Sequence, residues 1–228
     1  MKIPSTIFKL TAPASGLLLL AAVGGLTGCL SKPALNKQTF AFNVPPAATT
    51  NHFDHHCILG VRKLQIAAPF EGRSIVYRTG EFSYERDPYA EFLEAPGDEL
   101  LPVMNEWLRR SGNFDAVVAA GSALKPDLLV EINVSQLFGD FRQPKHPAAI
   151  LAVRFVFLEA TNGILGRPVF NKDYTQSIPL RGPAADALMA GWNQALANIA
   201  VEVSSDLGSI KTAQRINGAG IPPEVQPQ

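Results

Sequence analysis

Apolar and polar residues alternate along several stretches of this chain, and along two others the apolar ones recur with helical spacing. Val130, Ile132 and Val134 are separated by Glu131, Asn133 and Ser135, so residues 128–137 predict a strand with one buried face. Alternation over 39–44, closed by Pro45-Pro46, predicts an earlier extended segment, and 47–56 reads as a loop. Residues 58–66 predict a strand that stops before Pro69. The stretches 74–78 and 81–84 flank Thr79-Gly80 and predict a tight hairpin. Residues 114–119 predict a short strand, and 150–158 are apolar on both faces apart from Arg154, as in a central strand. Helices on both faces of that strand are the simplest cover; a bare second face would be a protein or lipid contact. Thr161-Asn162-Gly163 is a turn signal, and 169–178 predict the returning strand.

Helical periodicity appears first over 98–110, where Leu100, Val103, Met104, Trp107 and Leu108 form one apolar stripe. Asp98 and Glu99 suit the positive end of its dipole, Arg109 and Arg110 the negative end, and Gly112 a C-cap. Pro102 predicts an irregular first turn. A second helix is predicted over about 183–207, with Pro183 in its first turn and Trp192, Leu196, Ile199, Val203 and Leu207 on one stripe. Both tryptophans are expected in the core. After Gly208 the chain turns Gly- and Pro-rich, so 209–228 reads as a disordered tail. Together these elements predict one α+β domain over 37–208. Its mixed or antiparallel sheet has about six to seven strands, with two main helices packed on it.

The first 28 residues have a different pattern. Lys2 and Lys9 form a basic leader, and residues 17–23 an apolar run too short for a comfortable membrane span. Small residues then lead to Leu26-Thr27-Gly28-Cys29, which resembles a bacterial lipobox. Residues 1–28 are therefore read as a cleaved signal peptide, Cys29 as the acylated N-terminal residue, and 29–36 as a short tether. Two or three acyl chains on one cysteine make a lasting anchor where one would bind marginally. Leu30 follows the cysteine where aspartate would signal inner-membrane retention, so the outer membrane is expected, with the domain in the periplasm. With Cys29 consumed as a thioether, the domain is expected to hold no internal disulfide involving Cys57.

Charge narrows the function further. Lys+Arg and Asp+Glu each number 20, and losing Lys2 and Lys9 leaves the mature chain slightly acidic. That balance gives no footing for nucleic acid or for attraction to anionic lipid. The chain has no G-x-S-x-G and no phosphate-cradling G-x-x-x-x-G-K-[ST], and its carboxylates are scattered, so neither catalysis nor a cofactor is expected. One cluster has ligand chemistry: His52, His55, His56 and Cys57 offer imidazoles and a thiolate suited to zinc or copper. It sits in a loop with no second ligand pair elsewhere, and Cys57 directly precedes an apolar strand, so no metal site is assigned. Tyr77-Arg78 with Tyr84 forms either an aromatic-basic contact patch or an ordinary half-buried sheet face.

The order of certain segments resembles the ABC-type transport auxiliary lipoproteins, the PqiC-like family. After the lipobox come Phe40-Ala41-Phe42, Ile75-Val76-Tyr77-Arg78 and an acidic-aromatic strand around Tyr84. The helix then ends in Trp107-Leu108-Arg109-Arg110-Ser111-Gly112-Asn113-Phe114, and Asp115-Ala116-Val117-Val118 follows. Asp127-Leu128-Leu129-Val130-Glu131-Ile132, the Asn162-Gly163 turn and Ala195-Leu196 complete the series, which spans about 29–208. Phe92-Leu93 stands where the family often has Trp-Ala, and the histidine cluster has no family counterpart. The resemblance implies a small α/β domain and an accessory role in moving lipids or other apolar solutes between two membranes. It implies partners too: a periplasmic MCE-domain protein and, through it, an ABC permease and ATPase. The rival readings are a periplasmic metal-binding lipoprotein and an outer-membrane assembly or export lipoprotein.

Overall fold

The computed structural model describes residues 36–43, 57–161 and 164–218, all within the compact unit that begins at Asn36. Cys29, His52, His55 and His56 lie outside the described residues. In chain order the elements are β1 (Gln38–Phe40), β2 (Ile58–Ile66), β3 (Ser74–Arg78), β4 (Tyr84–Phe92), α1 (Pro96–Arg110) and β5 (Ala116–Ala119). They continue with β6 (Leu128–Asp140), β7 (Ala148–Thr161), β8 (Ile164–Pro179) and α2 (Ala185–Gly218). A 3-10 turn at Ala68–Phe70 follows β2. The expected α+β class holds, and among the described residues eight strands form one mixed sheet.

Strand β6 is the spine. Along one edge it pairs antiparallel with β7 from Leu128↔Glu159 to Asp140↔Ala148, and β7 pairs antiparallel with β8. Two strands share its other edge: β2 runs parallel to its first half, and β3 meets its end through Tyr77↔Gly139 and Arg78↔Asp140. Beyond them β5 pairs parallel with β2, β4 antiparallel with β3, and β1 parallel with β4.

Period-2 alternation sorts these strands into two faces. Val130, Ile132 and Val134 oppose Phe157, Phe155 and Val153, and all six are at most 1% exposed. A bulge at Ser135 shifts the register by one residue, so Leu137 and Gly139 rejoin the same face opposite Leu151 and Ala149. Both helices lie on this face. Trp107 of α1 meets Phe155 edge-on at 6.0 Å between ring centroids. From α2, Trp192 donates its indole N–H to the Ile150 carbonyl at 3.1 Å and stacks on Phe92 at 5.6 Å. Gly191 lets α2 approach β7: a Cβ there would stand 2.7 Å from Ala149 Cβ and 2.9 Å from Leu180 Cδ2.

Several expectations change in detail. The hairpin loop is Thr79–Ser83 rather than a two-residue turn, and β4 begins only at Tyr84. Arg78 is the reason: its guanidinium donates to the carbonyls of Gly80 (3.3 Å) and Glu81 (2.8 Å), holding a wider loop closed. Helix α1 begins at Pro96, a favoured first-turn position, and runs unbroken through Pro102. The proline therefore sits inside the helix, where tertiary burial of Leu100 and Met104 overrides its missing N–H. Gly112 has φ 66°, as a C-cap requires. Helix α2 continues to Gly218, past the expected end at 207, because Ala213, Gln214 and Arg215 favour helix and no proline intervenes. The largest correction concerns β7. Both helices cover one side of it, and among the described residues no helix covers its other face, expected to be covered too, where Arg154 is exposed and Ile150, Val156 and Leu158 are half-buried.

Candidate functional site

The bare face is built from the residues that alternate with the core. Lys63 and Gln65 of β2, Glu131, Asn133 and Ser135 of β6, Arg154 and Val156 of β7 and Asp173 of β8 line a shallow depression of about 360 Å³. Register puts Arg154 directly opposite Asp173, and the fork closes on the carboxylate with contacts of 2.7 and 2.8 Å. These hydrogen bonds hold the Asp173 carboxyl below its ordinary range and raise the Arg154 guanidinium above its own. Arg62 pairs with Glu131, and Lys63 stands opposite Glu131 in the register. Both signs of charge are therefore mixed on one surface, with no excess that would concentrate an anionic ligand.

Toward the far end of β6 the same face turns aromatic. Phe138 stacks on Phe70 at 5.8 Å and takes Tyr84 edge-on at 5.8 Å. Pro69, Phe70, Val76, Tyr84 and Arg86 line a second depression of about 270 Å³. Arg78 lies over the Tyr84 ring, 5.8 Å from its centroid, so two members of the expected aromatic-basic patch do meet. Tyr77 belongs elsewhere: its hydroxyl donates to Asp87 at 2.6 Å and its ring meets Phe141 on the helix side. Burial, then the Asp87 carboxylate, pushes the Tyr77 hydroxyl far above its normal range, so it stays protonated. Beyond the patch, Phe82 at the hairpin tip is 92% exposed, and Arg142 clasps Asp140 at 2.6 Å.

Of the metal candidates only Cys57 is described. It is half-buried and packs against the core, and its carbonyl accepts the Asp115 N–H at 3.0 Å. Among the described residues no three His, Cys, Asp or Glu side chains group closely enough to hold a metal. No described helix is long and apolar enough to cross a membrane. Sequence reasoning missed Phe82, which it placed within a strand, and the Arg154–Asp173 pair, which needs the β7–β8 register. The polar half of β6 was the available signal for a bare face, because Glu131, Asn133 and Ser135 have no place beneath a helix.

Comparison with known proteins turns this geometry into a family. The chain is similar in structure to protein XCC0632 from Xanthomonas campestris, a DUF330 protein, with TM-score 0.66 and 20% identity over 79% of this chain and 99% of that one. A second solved structure, of an uncharacterized protein, matches at TM-score 0.53 and 14% identity over 75% of this chain and 99% of that one. These likenesses establish a shared fold. No curated protein matches by sequence. The model of the ABC-type transport auxiliary lipoprotein component matches residues 40–204, from Phe40 in β1 into α2, and the chain belongs to that family.

Proposed function

We propose that this chain is a non-enzymatic lipoprotein subunit of an MCE/ABC-type intermembrane lipid transport system. Acylated Cys29 holds it at the outer membrane, and its domain docks on a periplasmic MCE-domain protein that connects it to the permease and ATPase. The observation that carries the reading is the family match over 40–204, on a domain with one helix-covered face and one bare face. An adaptor needs a rigid scaffold and a free surface, and the two faces of the sheet supply them. The bare face mixes half-buried Ile150, Val156 and Leu158 with charges that pair among themselves, a composition suited to a non-obligate contact.

Crosslinking in intact cells followed by capture of the full chain from membranes tests the docking. Recovery of an MCE-domain protein or permease is expected. Recovery of neither, with the chain itself abundant, overturns the role. Mass measurement of the mature N-terminus tests the anchor, and a cleaved chain lacking acyl mass on Cys29 ends that part of the reading.

A further inference from the structure

We infer that the tip of the β3–β4 hairpin, led by Phe82 with Tyr84 behind it, is seated in the interface of the bilayer that holds the lipid anchor. The inference rests on acylation of Cys29. The first support is the side chains. Phe82 is 92% exposed and Tyr84 49% exposed, so the loop presents an apolar ring to its surroundings and an amphipathic ring one step back. Aromatic side chains favour the boundary between hydrocarbon and headgroups, where the apolar body and the polar tip are both accommodated. Arg78 and Arg142 stand beside them, and Glu81 and Glu85 balance that charge, so zwitterionic headgroups suffice as the surface.

The second support is rigidity. Besides the two Arg78 hydrogen bonds, the amides of Thr79 and Gly80 donate to the Ser83 carbonyl at 3.0 and 3.4 Å. The loop is thus fixed before contact, and Phe82 is held outward rather than folded back on Tyr84. Insertion costs little further ordering.

The third support is where the tether starts. Because β1 is parallel to β4, the chain preceding Gln38 departs from the end of β1 that is nearer the hairpin tip. Gln38 pairs with Ala90, close to Ser74↔Glu91, whereas the hairpin strands end at Arg78↔Tyr84. With β3 as the ruler, the tip lies about 17 Å beyond Gln38 at about 3.3 Å per residue. Cys29 lies nine residues before Gln38, a reach of about 30 Å when extended. The anchor can therefore lie in the same bilayer plane as Phe82 without strain. One phenylalanine would not hold a free domain at a membrane, but a tethered one meets the surface at high effective concentration.

The test uses the full mature chain, its acylation verified by mass, in phosphatidylcholine vesicles containing lipids brominated along the acyl chain. Trp107 and Trp192 are 7% and 0% exposed and change little between samples. The Phe82→Trp variant is expected to lose most of its added emission to the brominated lipid. The Leu124→Trp variant, placed before β6 at its other end, is expected to keep its added emission. Equal quenching of the two variants in vesicle-held protein overturns the inference and leaves the acyl anchor standing. A mature chain without acyl mass removes both. Phe82→Asp that abolishes partner capture, combined with an unquenched Phe82→Trp variant, assigns the tip to a protein and also overturns the inference.

Discussion

The two faces of the sheet are made by the same strands, yet one is a core and the other a surface. In β7, Phe155 and Phe157 are buried under the helices while Arg154, between β6 and β8, reaches solvent. The difference comes from topology: α1 and α2 cross the same side, so Lys63, Gln65, Glu131, Asn133, Arg154 and Asp173 on the other are left without a covering helix, and only toward the end of β6 do Phe70 and Tyr84 cover Phe138 there. A strand that is apolar in sequence can therefore be central in its sheet and still have one open face. On the covered side, packing dictates which residues fit. On the bare side, neighbours within the strand pairs satisfy one another, and the choice of residue is free for recognition.

The contrast is broken most severely at Trp192. Truncation to alanine removes a fully buried ring, its stacking on Phe92 and its hydrogen bond to Ile150, so Trp192→Ala should cost about 3–5 kcal/mol. Urea unfolding measures it. A loss below that of an ordinary surface substitution would mean that α2 does not clamp the sheet.

A smaller effect of opposite bias tests the closeness of the helix. Alanine is the better helix former by about 1 kcal/mol, so an exposed helical glycine should tolerate or welcome it. Gly191→Ala instead drives a methyl into Ala149 and Leu180, with an overpacking cost of about 1–3 kcal/mol, and the variant should come out less stable. Gly182→Ala, with nothing within 4 Å, is the control and should be neutral.

These residues also show what the sequence could reveal. The stripe through Trp192, Leu196, Ile199 and Val203 was legible because a 3.6-residue period is a local property. So was the alternation of β6, as far as its bulge. What was not legible was long-range: Arg154 looked like an exception in an apolar strand until the β8 register supplied Asp173 as its partner. Pairing of β1 with β4 was equally hidden, since three residues carry no register information. The Thr79–Ser83 loop differed from a two-residue turn because a side chain, Arg78, stabilises it. The candidate site was legible only as composition. Neither the polar half of a strand nor a lone phenylalanine declares which side the helices will take.

Titration gives a weaker handle on the covered side. The Tyr174 hydroxyl donates to Asp206 at 2.6 Å, joining β8 to α2, and burial followed by that carboxylate raises its pKa far above the ordinary value. Tyr77 is raised for the same reasons through Asp87. Both phenols are protonated in the folded chain at pH values where the unfolded chain already ionises. Their contribution is thus complete below about pH 10, the unfolded value, and declines as pH rises above it. Urea midpoints of the native chain should fall from about pH 10 upward, and the Tyr77→Phe/Tyr174→Phe double variant should show a flatter alkaline slope. An unchanged slope would mean that neither phenol is held protonated by its burial and its carboxylate partner.

The smallest stability effect belongs to the bare face, and it separates scaffold from surface most cleanly. Arg154 and Asp173 are 52% and 61% exposed at the side chain, so solvent screens their bidentate pair and Arg154→Ala should leave the urea midpoint unchanged. Arg154→Asp places two carboxylates directly opposite each other across β7 and β8, which should lower the midpoint slightly, and adding Asp173→Arg should restore it. Partner capture should behave differently. If the bare face is the docking surface, Arg154→Asp weakens recovery of the periplasmic partner far more than it weakens the fold, and the swapped pair, with its charges exchanged in space, does not recover it. Rescue of capture by the swap would mean that the pair acts only by stabilising the β7–β8 edge and that the partner binds elsewhere.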